Sequence, residues 1–158
     1  MTQRNPITPE GYEALVADLK YQKSVERIET VRAIEEARAH GDISENAEYE
    51  AAKERQALCE GKIARLEGLV AAAEIIDVKK LRPSDRVVFG TTVVLENEAG
   101  DVRTWRIVGE TETDVRNGLI SYKAPVAKAL IGKSEGDEVV VPTPGGRQVW
   151  EILEVRYE

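Results

Sequence analysis

Between Tyr49 and Ala73 the apolar and small residues alternate at intervals of three and four: Tyr49, Ala52, Gln56, Cys59, Ile63, Leu66, Val70 and Ala73. A repeat averaging 3.5 residues places all eight on one stripe of a helix and requires a second helix to cover it. Helix-forming residues crowd the region upstream. There Thr8-Pro9-Glu10 sets an N-capping threonine before a proline at the first helical position. Tyr12, Leu15, Val16 and Leu19 then form one apolar stripe, and Ile34 and Ala37 return to it. Val25, Ile28 and Val31 fall out of phase, so a break or kink is expected between Ser24 and Ile28. Two helices with one stripe each, joined by a short turn near Gly41, fold back as an antiparallel coiled-coil hairpin. The 33 residues from Thr8 to His40 would make an arm roughly 50 Å long at 1.5 Å per residue. Such an arm reaches rather than encloses.

From Leu81 onward the period changes. Strands are expected at Arg86–Phe89, Thr92–Asn97, Val102–Val108, Leu119–Ser121, Glu138–Val141 and Val149–Tyr157, with turns at Gly100-Asp101 and Pro144-Gly145-Gly146. Pro125 to Leu130 reads as one short helix. Lys79-Lys80, Pro83 and Ser84 interrupt both patterns. The chain therefore reads as an α+β protein of two domains, a helical hairpin over 1–77 with its tip at about 39–49, and a small antiparallel sheet domain with a helix over 78–158.

Composition narrows the function. The 158 residues carry 22 Lys+Arg against 29 Asp+Glu, a net charge of −7. A surface this acidic is repelled by the phosphate backbone, so a nucleic-acid role needs a local basic patch or a partner that already holds the nucleic acid. No apolar run is long enough to span a bilayer, and Met1 to Pro6 lead into no apolar leader, so a cytoplasmic protein with no membrane partner is expected. The single cysteine, Cys59, forms no internal disulfide and sits in the helical seam, and no Cys/His cluster offers a zinc site.

The hairpin turn reads Ala39-His40-Gly41-Asp42-Ile43-Ser44-Glu45-Asn46-Ala47-Glu48-Tyr49. Asp42, Glu45 and Glu48 recur at three-residue spacing, which in a helix turns them to a common side. Two readings are open. Asp42 with Glu45 has the form of a capping box, and Ser44 is an alternative cap. Asp42 and Glu45 also suit part of a magnesium site, since that ion takes one or two protein carboxylates and completes its shell with water and phosphate oxygens. An exposed turn cannot complete such a site, so the remainder would come from a partner.

The run from Ala37 to Tyr49, continued by Ala51-Ala52-Lys53-Glu54-Arg55-Gln56, resembles the bacterial Gre transcript-cleavage and transcription elongation factors, most closely those of the GreA type. Supporting stretches are Ile7-Thr8-Pro9-Glu10-Gly11, Ser24-Val25-Glu26-Arg27, Glu60-Gly61-Lys62-Ile63, Val88-Phe89-Gly90-Thr91, Arg106-Ile107-Val108-Gly109, Leu130-Ile131-Gly132-Lys133 and Thr143-Pro144-Gly145-Gly146. The resemblance spans nearly the whole chain. It implies an N-terminal coiled-coil hairpin and a C-terminal domain of FKBP-like fold that docks on RNA polymerase while the hairpin enters the secondary channel. There Asp42 and Glu45 would help hold the second magnesium ion and its water in the polymerase's own site, where the backtracked transcript is cut. By position, Arg38 and Lys53 are the candidates for a basic patch on the nascent RNA 3′ segment, against ordinary i,i+4 pairing on a solvated helix face. Ser44, Asn46, Glu48 and Tyr49 would support the tip, Tyr49 by packing beneath it. Where some relatives carry a proline after Ser-Val-Glu-Arg, Ile28 stands here and softens the expected kink. The chain itself would bind no cofactor, would be no enzyme, and would be a monomer when free.

Other signals fall away. Gly132-Lys133-Ser134 ends like a phosphate-binding loop, but Ala127 stands where its first glycine is needed. The tip fails as a calcium loop because Ala47 and Lys53 occupy its glycine and glutamate positions. His40 sits at a polar turn and reads as a solvated loop residue. An FKBP-type prolyl isomerase would need a pocket lined by many aromatics, and this half has only Phe89, Trp105, Tyr122, Trp150 and Tyr157. The alternatives that remain are a channel-binding regulator that stimulates no cleavage and a free-standing metal-dependent nuclease.

Overall fold

The structure, a computed structural model, describes residues 4–39 and 47–158. The elements run β1 (Asn5–Ile7), α1 (Pro9–Tyr21), a π-helical turn (Gln22–Glu26), α2 (Arg27–Ala39), α3 (Ala47–Ala72), β2 (Ala73–Ile75), β3 (Thr92–Asn97), β4 (Val102–Val108), β5 (Leu119–Ser121), α4 (Pro125–Leu130), β6 (Glu138–Thr143) and β7 (Gly146–Arg156). They form two compact units. One is helical, from Tyr12 to Ala72; the other joins the described residues through Gly11 to Ala73–Glu158.

In the helical unit, α3 carries the heptad from Tyr49 to Val70, whereas its expected last position, Ala73, lies beyond the helix end and opens β2. Ala52, Cys59, Ile63 and Leu66 are buried, and Tyr49, Gln56 and Val70 are half-buried. Opposite it lie Leu15, Leu19, Gln22, Glu26, Thr30, Ile34 and Ala37, all buried or half-buried, whereas Val16 is exposed. The phase break resolves as the π-turn, where Arg27 N–H reaches back five residues to the Gln22 carbonyl. A regular heptad running through Leu15, Leu19, Gln22 and Glu26 would next bring Glu29, Ala33 and Glu36 to α3. The wide turn absorbs one extra residue, so Thr30, Ile34 and Ala37 arrive instead. Val25, Ile28 and Val31 are left exposed. The turn has a cost: Gln22 Oε1 is buried with no hydrogen-bond partner among the described residues. The Cys59 thiol donates to the Gln22 carbonyl at 3.7 Å, and burial pushes its pKa up.

Ion pairs rim the antiparallel seam. Arg27 grips Glu60 with two hydrogen bonds of 2.9 and 2.7 Å, Arg55 grips Glu26 with bonds of 2.6 and 2.9 Å and reaches Glu29 at 3.1 Å, and Lys23 meets Glu67 at 3.2 Å. The hydrogen bonds from Arg55 and Arg27 hold the Glu26 and Glu60 carboxyls below their usual range. A carboxyl with a lowered folded-state pKa stabilises the fold above its unfolded value of about 4.3, and loses that contribution as pH falls through the folded value. The helical melting temperature, followed by circular dichroism, is therefore expected to fall on acidification below that value. The fall should be smaller in 1 M salt, because these pairs are exposed and screened.

The second unit is a five-stranded sheet in the order β5-β4-β3-β7-β6, with α4 on one face, the FKBP-like arrangement expected. Its core is Val87, Val93, Leu95, Ile107, Ile120, Ala127, Leu130, Val139, Val141 and Ile152. Strands β3, β4 and β5 and helix α4 begin and end where the sequence places them. β6 runs two residues longer, and β7 spans 146–156 rather than 149–157. Two features correct the reading. Arg86–Phe89 forms no strand: Arg86 makes an isolated bridge to Ser134, and the Val87 N–H and C=O pair with Lys133 and Gly132 before the left-handed Gly90 turns the chain. The edge pair β4–β5 is parallel, since two short 3₁₀ turns, Glu110–Glu112 and Val115–Asn117, bring the chain round in the same direction.

A short parallel pair, β1 with β2, brings both ends of the helical segments into this unit. Next to it Thr8 caps α1, its Oγ1 accepting the Gly11 N–H at 3.1 Å. Thr8 Oγ1 in turn donates to the Glu112 carboxylate, which also accepts the N–H groups of Thr8 and Gly109 at 3.1 and 2.8 Å. A Cβ at position 11 would overlap that carboxyl group. Gly11→Ala is expected to destabilise the chain by about 1–3 kcal/mol, as overpacking does. In denaturant titrations the cost should shrink sharply when Glu112→Ala is already present.

Candidate functional site

Asp42, Ser44, Glu45 and Asn46 lie outside the described residues, as does His40. The structure does describe the two helix ends that residues 40–46 join. α2 ends at Ala39 and α3 begins at Ala47, and their ion pairs run in opposite directions along the chain, Lys23–Glu67, Arg27–Glu60 and Glu26–Arg55. Asp42 and Glu45 therefore belong to the connection between two antiparallel helices.

The two flanks of this helix pair differ. On one, a groove of about 260 Å³ is lined by Val31, Ile34, Glu35, Arg38, Tyr49, Lys53 and Gln56. Arg38 from α2 and Lys53 from α3 converge on the half-buried Tyr49 ring, with the guanidinium carbon 6.0 Å and the ammonium nitrogen 5.5 Å from its centroid. Each contact is a cation–π interaction worth about 0.5–1 kcal/mol at an exposed site. Among the described residues neither cation has an ion-pair partner, and Asp42, four positions after Arg38, lies outside them. On the other flank, Glu36, Glu48 and Arg55 border a second groove together with Ala33, Ala37, Ala51 and Ala52. Glu48 is exposed in the first turn of α3 and lies on a different flank from Arg38 and Lys53. The helix pair thus carries cations and an aromatic ring on one side and mixed charge on the other. Sequence reasoning named Arg38, Lys53 and Tyr49 separately, but their meeting was hidden because Arg38 comes from the other helix. The Tyr49–Lys53 spacing of four was its only local signal.

Among the described residues no three His, Cys, Asp or Glu side chains gather as a metal site. As a donor set, Asp42 and Glu45 suit a hard cation such as magnesium, as two oxygen ligands of a shell needing further oxygens from elsewhere. No described helix is long and apolar enough to cross a membrane.

Comparison with known proteins places this architecture. Residues 5–75 match the family described as "Transcription elongation factor, N-terminal", and residues 82–157 match "Transcription elongation factor, GreA/GreB, C-term". The transcription elongation factor GreA of Anaeromyxobacter sp. (strain K) is 56% identical over 156 residues, covering 98% of this chain and 93% of that protein. GreA of Ruegeria pomeroyi is 51% identical, covering 98% and 99%. Among solved structures, the GreA factor homolog 1 (Gfh1) of Thermus thermophilus aligns over 98% of this chain and 99% of that one, at 26% identity and a TM-score of 0.44. The chain belongs to the GreA/GreB family of transcription elongation factors. Within that family it is of the GreA type.

Proposed function

We propose that this elongation factor binds bacterial RNA polymerase in the cytoplasm, inserts its hairpin into the secondary channel, and stimulates the polymerase's own cleavage of backtracked RNA. The observation that carries the reading is the antiparallel pairing of α2 and α3, which makes the Asp42–Glu45 stretch the connection at one end of a slender helical pair. A carboxylate pair on such an end can be delivered into a channel where it completes an incomplete oxygen shell. Asp42 and Glu45 would hold part of the shell of the second magnesium ion of the polymerase site and orient a water among its ligands. Magnesium held there supplies Lewis-acid activation of water and stabilisation of the leaving oxygen in phosphodiester hydrolysis. Ser44 and Asn46 would fix the carboxylates' orientation through hydrogen bonds, and Glu48 would add negative charge in the first turn of α3.

Arg38 and Lys53, unpaired with any described carboxylate, would meet the phosphates of the extruded RNA 3′ segment. In this reading the chain donates ligands rather than acting as an enzyme by itself, and the polymerase supplies the nucleic-acid binding that a net charge of −7 disfavours. The sheet unit would dock on the polymerase exterior. The test is rescue: stalled, backtracked elongation complexes are expected to resume synthesis when the chain and nucleotides are added. Complexes that slow further on addition would make this a channel-binding inhibitor instead.

A further inference from the structure

We propose that the far half of the hairpin, Arg27–Ala39 with residues 47–56, opens and closes as one unit while the half bearing Leu15 and Leu19 stays closed, with the π-turn as the boundary and Arg55 as the latch. The proposal stands on the helix pair alone, because the opening belongs to the free chain and needs no polymerase.

Four observations combine. The first is that the seam changes character at the turn. On the near side it is built from Leu15, Leu19, Ile63, Leu66 and Val70, branched aliphatic side chains that are all buried or half-buried. Around the turn it is polar or small, with Gln22, Glu26 and Thr30 on one helix and Gln56 and Cys59 on the other. Gln22 Oε1 is buried there without a described hydrogen-bond partner. On the far side Ala37 and Ala52 are the buried apolar residues, and Ile34 and Tyr49 are half-buried. Less apolar surface leaves the water in this half, so less holds it shut.

The second observation is its packing. Grooves of about 260 and 340 Å³ lie along the far half, one beside Ile34 and Tyr49 and the other beside Ala33 and Ala51. Side chains lining such spaces forgo van der Waals partners on one side. The third is helix continuity. Helical order propagates through an unbroken ladder of bonds, and at the turn the Arg27 N–H bonds the Gln22 carbonyl instead. Beyond it α2 has 13 residues, and a helix that short is marginal in water without a partner. Parting from α3 therefore also melts α2, which makes the opening cooperative. The fourth is the latch. One Arg55 guanidinium on α3 holds both sides of the boundary, Glu26 in the turn with bonds of 2.6 and 2.9 Å and Glu29 in α2 at 3.1 Å. The pairs Arg27–Glu60 and Lys23–Glu67 lie at or behind that boundary.

The test is native-state amide hydrogen exchange of the full chain, read by NMR over residues 31–39, 51–56 and 63–70. The stretches 31–39 and 51–56 are expected to share one protection factor, at least about tenfold below that of 63–70. Arg55→Ala, an exposed change, should lower protection about fivefold in both far stretches and leave 63–70 unaltered. Gln56→Leu, which carries the aliphatic seam past the turn, should raise protection in both. Equal protection in all three stretches overturns the proposal. So does protection that declines residue by residue toward Ala39 and Ala47 with no step at the turn, which is simple fraying. A loss in Arg55→Ala that reaches 63–70 equally would show that the arm opens only as a whole, and also overturns it.

Discussion

A chain carrying both Asp42→Asn and Glu45→Gln is expected to melt at the wild-type temperature and to lose stimulation of transcript cleavage by at least about 10–100-fold, the range seen when groups supporting a metal site are removed. The two substitutions separate the readings of the tip. Asn caps a helix as well as Asp, and Gln keeps the reciprocal hydrogen bond of a capping box, so the structural role survives. Both changes remove a full negative charge from an oxygen donor meant for a hard cation, so the chemical role does not survive. The paired readout is thermal melting by circular dichroism and release of short fragments from a 3′-labelled transcript. Stability and stimulation falling together would assign Asp42 and Glu45 to the fold instead.

The second large effect concerns the π-turn, and it depends on where one residue is removed. Deleting Ser24 is expected to leave the chain folded, with a melting temperature within about 4 °C of wild type, equivalent to 1 kcal/mol at this size. The reason is geometric: the turn accommodates one residue more than an α-helix would, so removing one inside it restores regular helix without rotating α2 about its axis. Thr30, Ile34 and Ala37 stay on the seam, and the Glu26–Arg55 and Arg27–Glu60 pairs persist. Deleting Arg32, only eight positions on and also exposed, rotates the rest of α2 by about 100°. Glu35 then takes the place of Ile34, and Arg38 that of Ala37, a position only 2% exposed. Burying a charge without a partner costs several kcal/mol, so the helical signal should be lost well below the wild-type melting temperature. Equal tolerance of the two deletions would show that the seam does not depend on this phase.

How far the sequence alone could lead depends on the range of each interaction. The α3 seam was legible because seven residues from Tyr49 to Val70 repeat one period, though the eighth, Ala73, falls in β2; the same arithmetic located the break at Val25, Ile28 and Val31, though not its π-helical form. Strands β3 and β4 and helix α4 were legible to the residue, being bounded by turns at Gly100-Asp101 and by Pro125. β1 and β2 were not, because three residues such as Asn5-Pro6-Ile7 carry no period and become strands only by pairing with each other. The Thr8–Glu112 contact, 104 residues apart in sequence, leaves no local trace at either end. In the site, composition and spacing could not choose between cap and ligand for Asp42 and Glu45, and only the order of motifs along the chain pointed to transcription. Arg38 and Lys53 were found as charges; their shared ring needed the hairpin to be closed.

The central claim is that this chain completes the polymerase's cleavage site rather than cutting RNA alone or merely blocking the channel. The most direct measurement tracks a 3′-labelled transcript in a stalled, backtracked bacterial RNA polymerase complex with magnesium. Three additions are compared: wild type, the Asp42→Asn/Glu45→Gln variant, and wild type incubated with the same RNA without polymerase. Short 3′ fragments with wild type and polymerase, and in neither other reaction, are the predicted result. Fragments appearing without polymerase, or with the double variant at the wild-type rate, would contradict it.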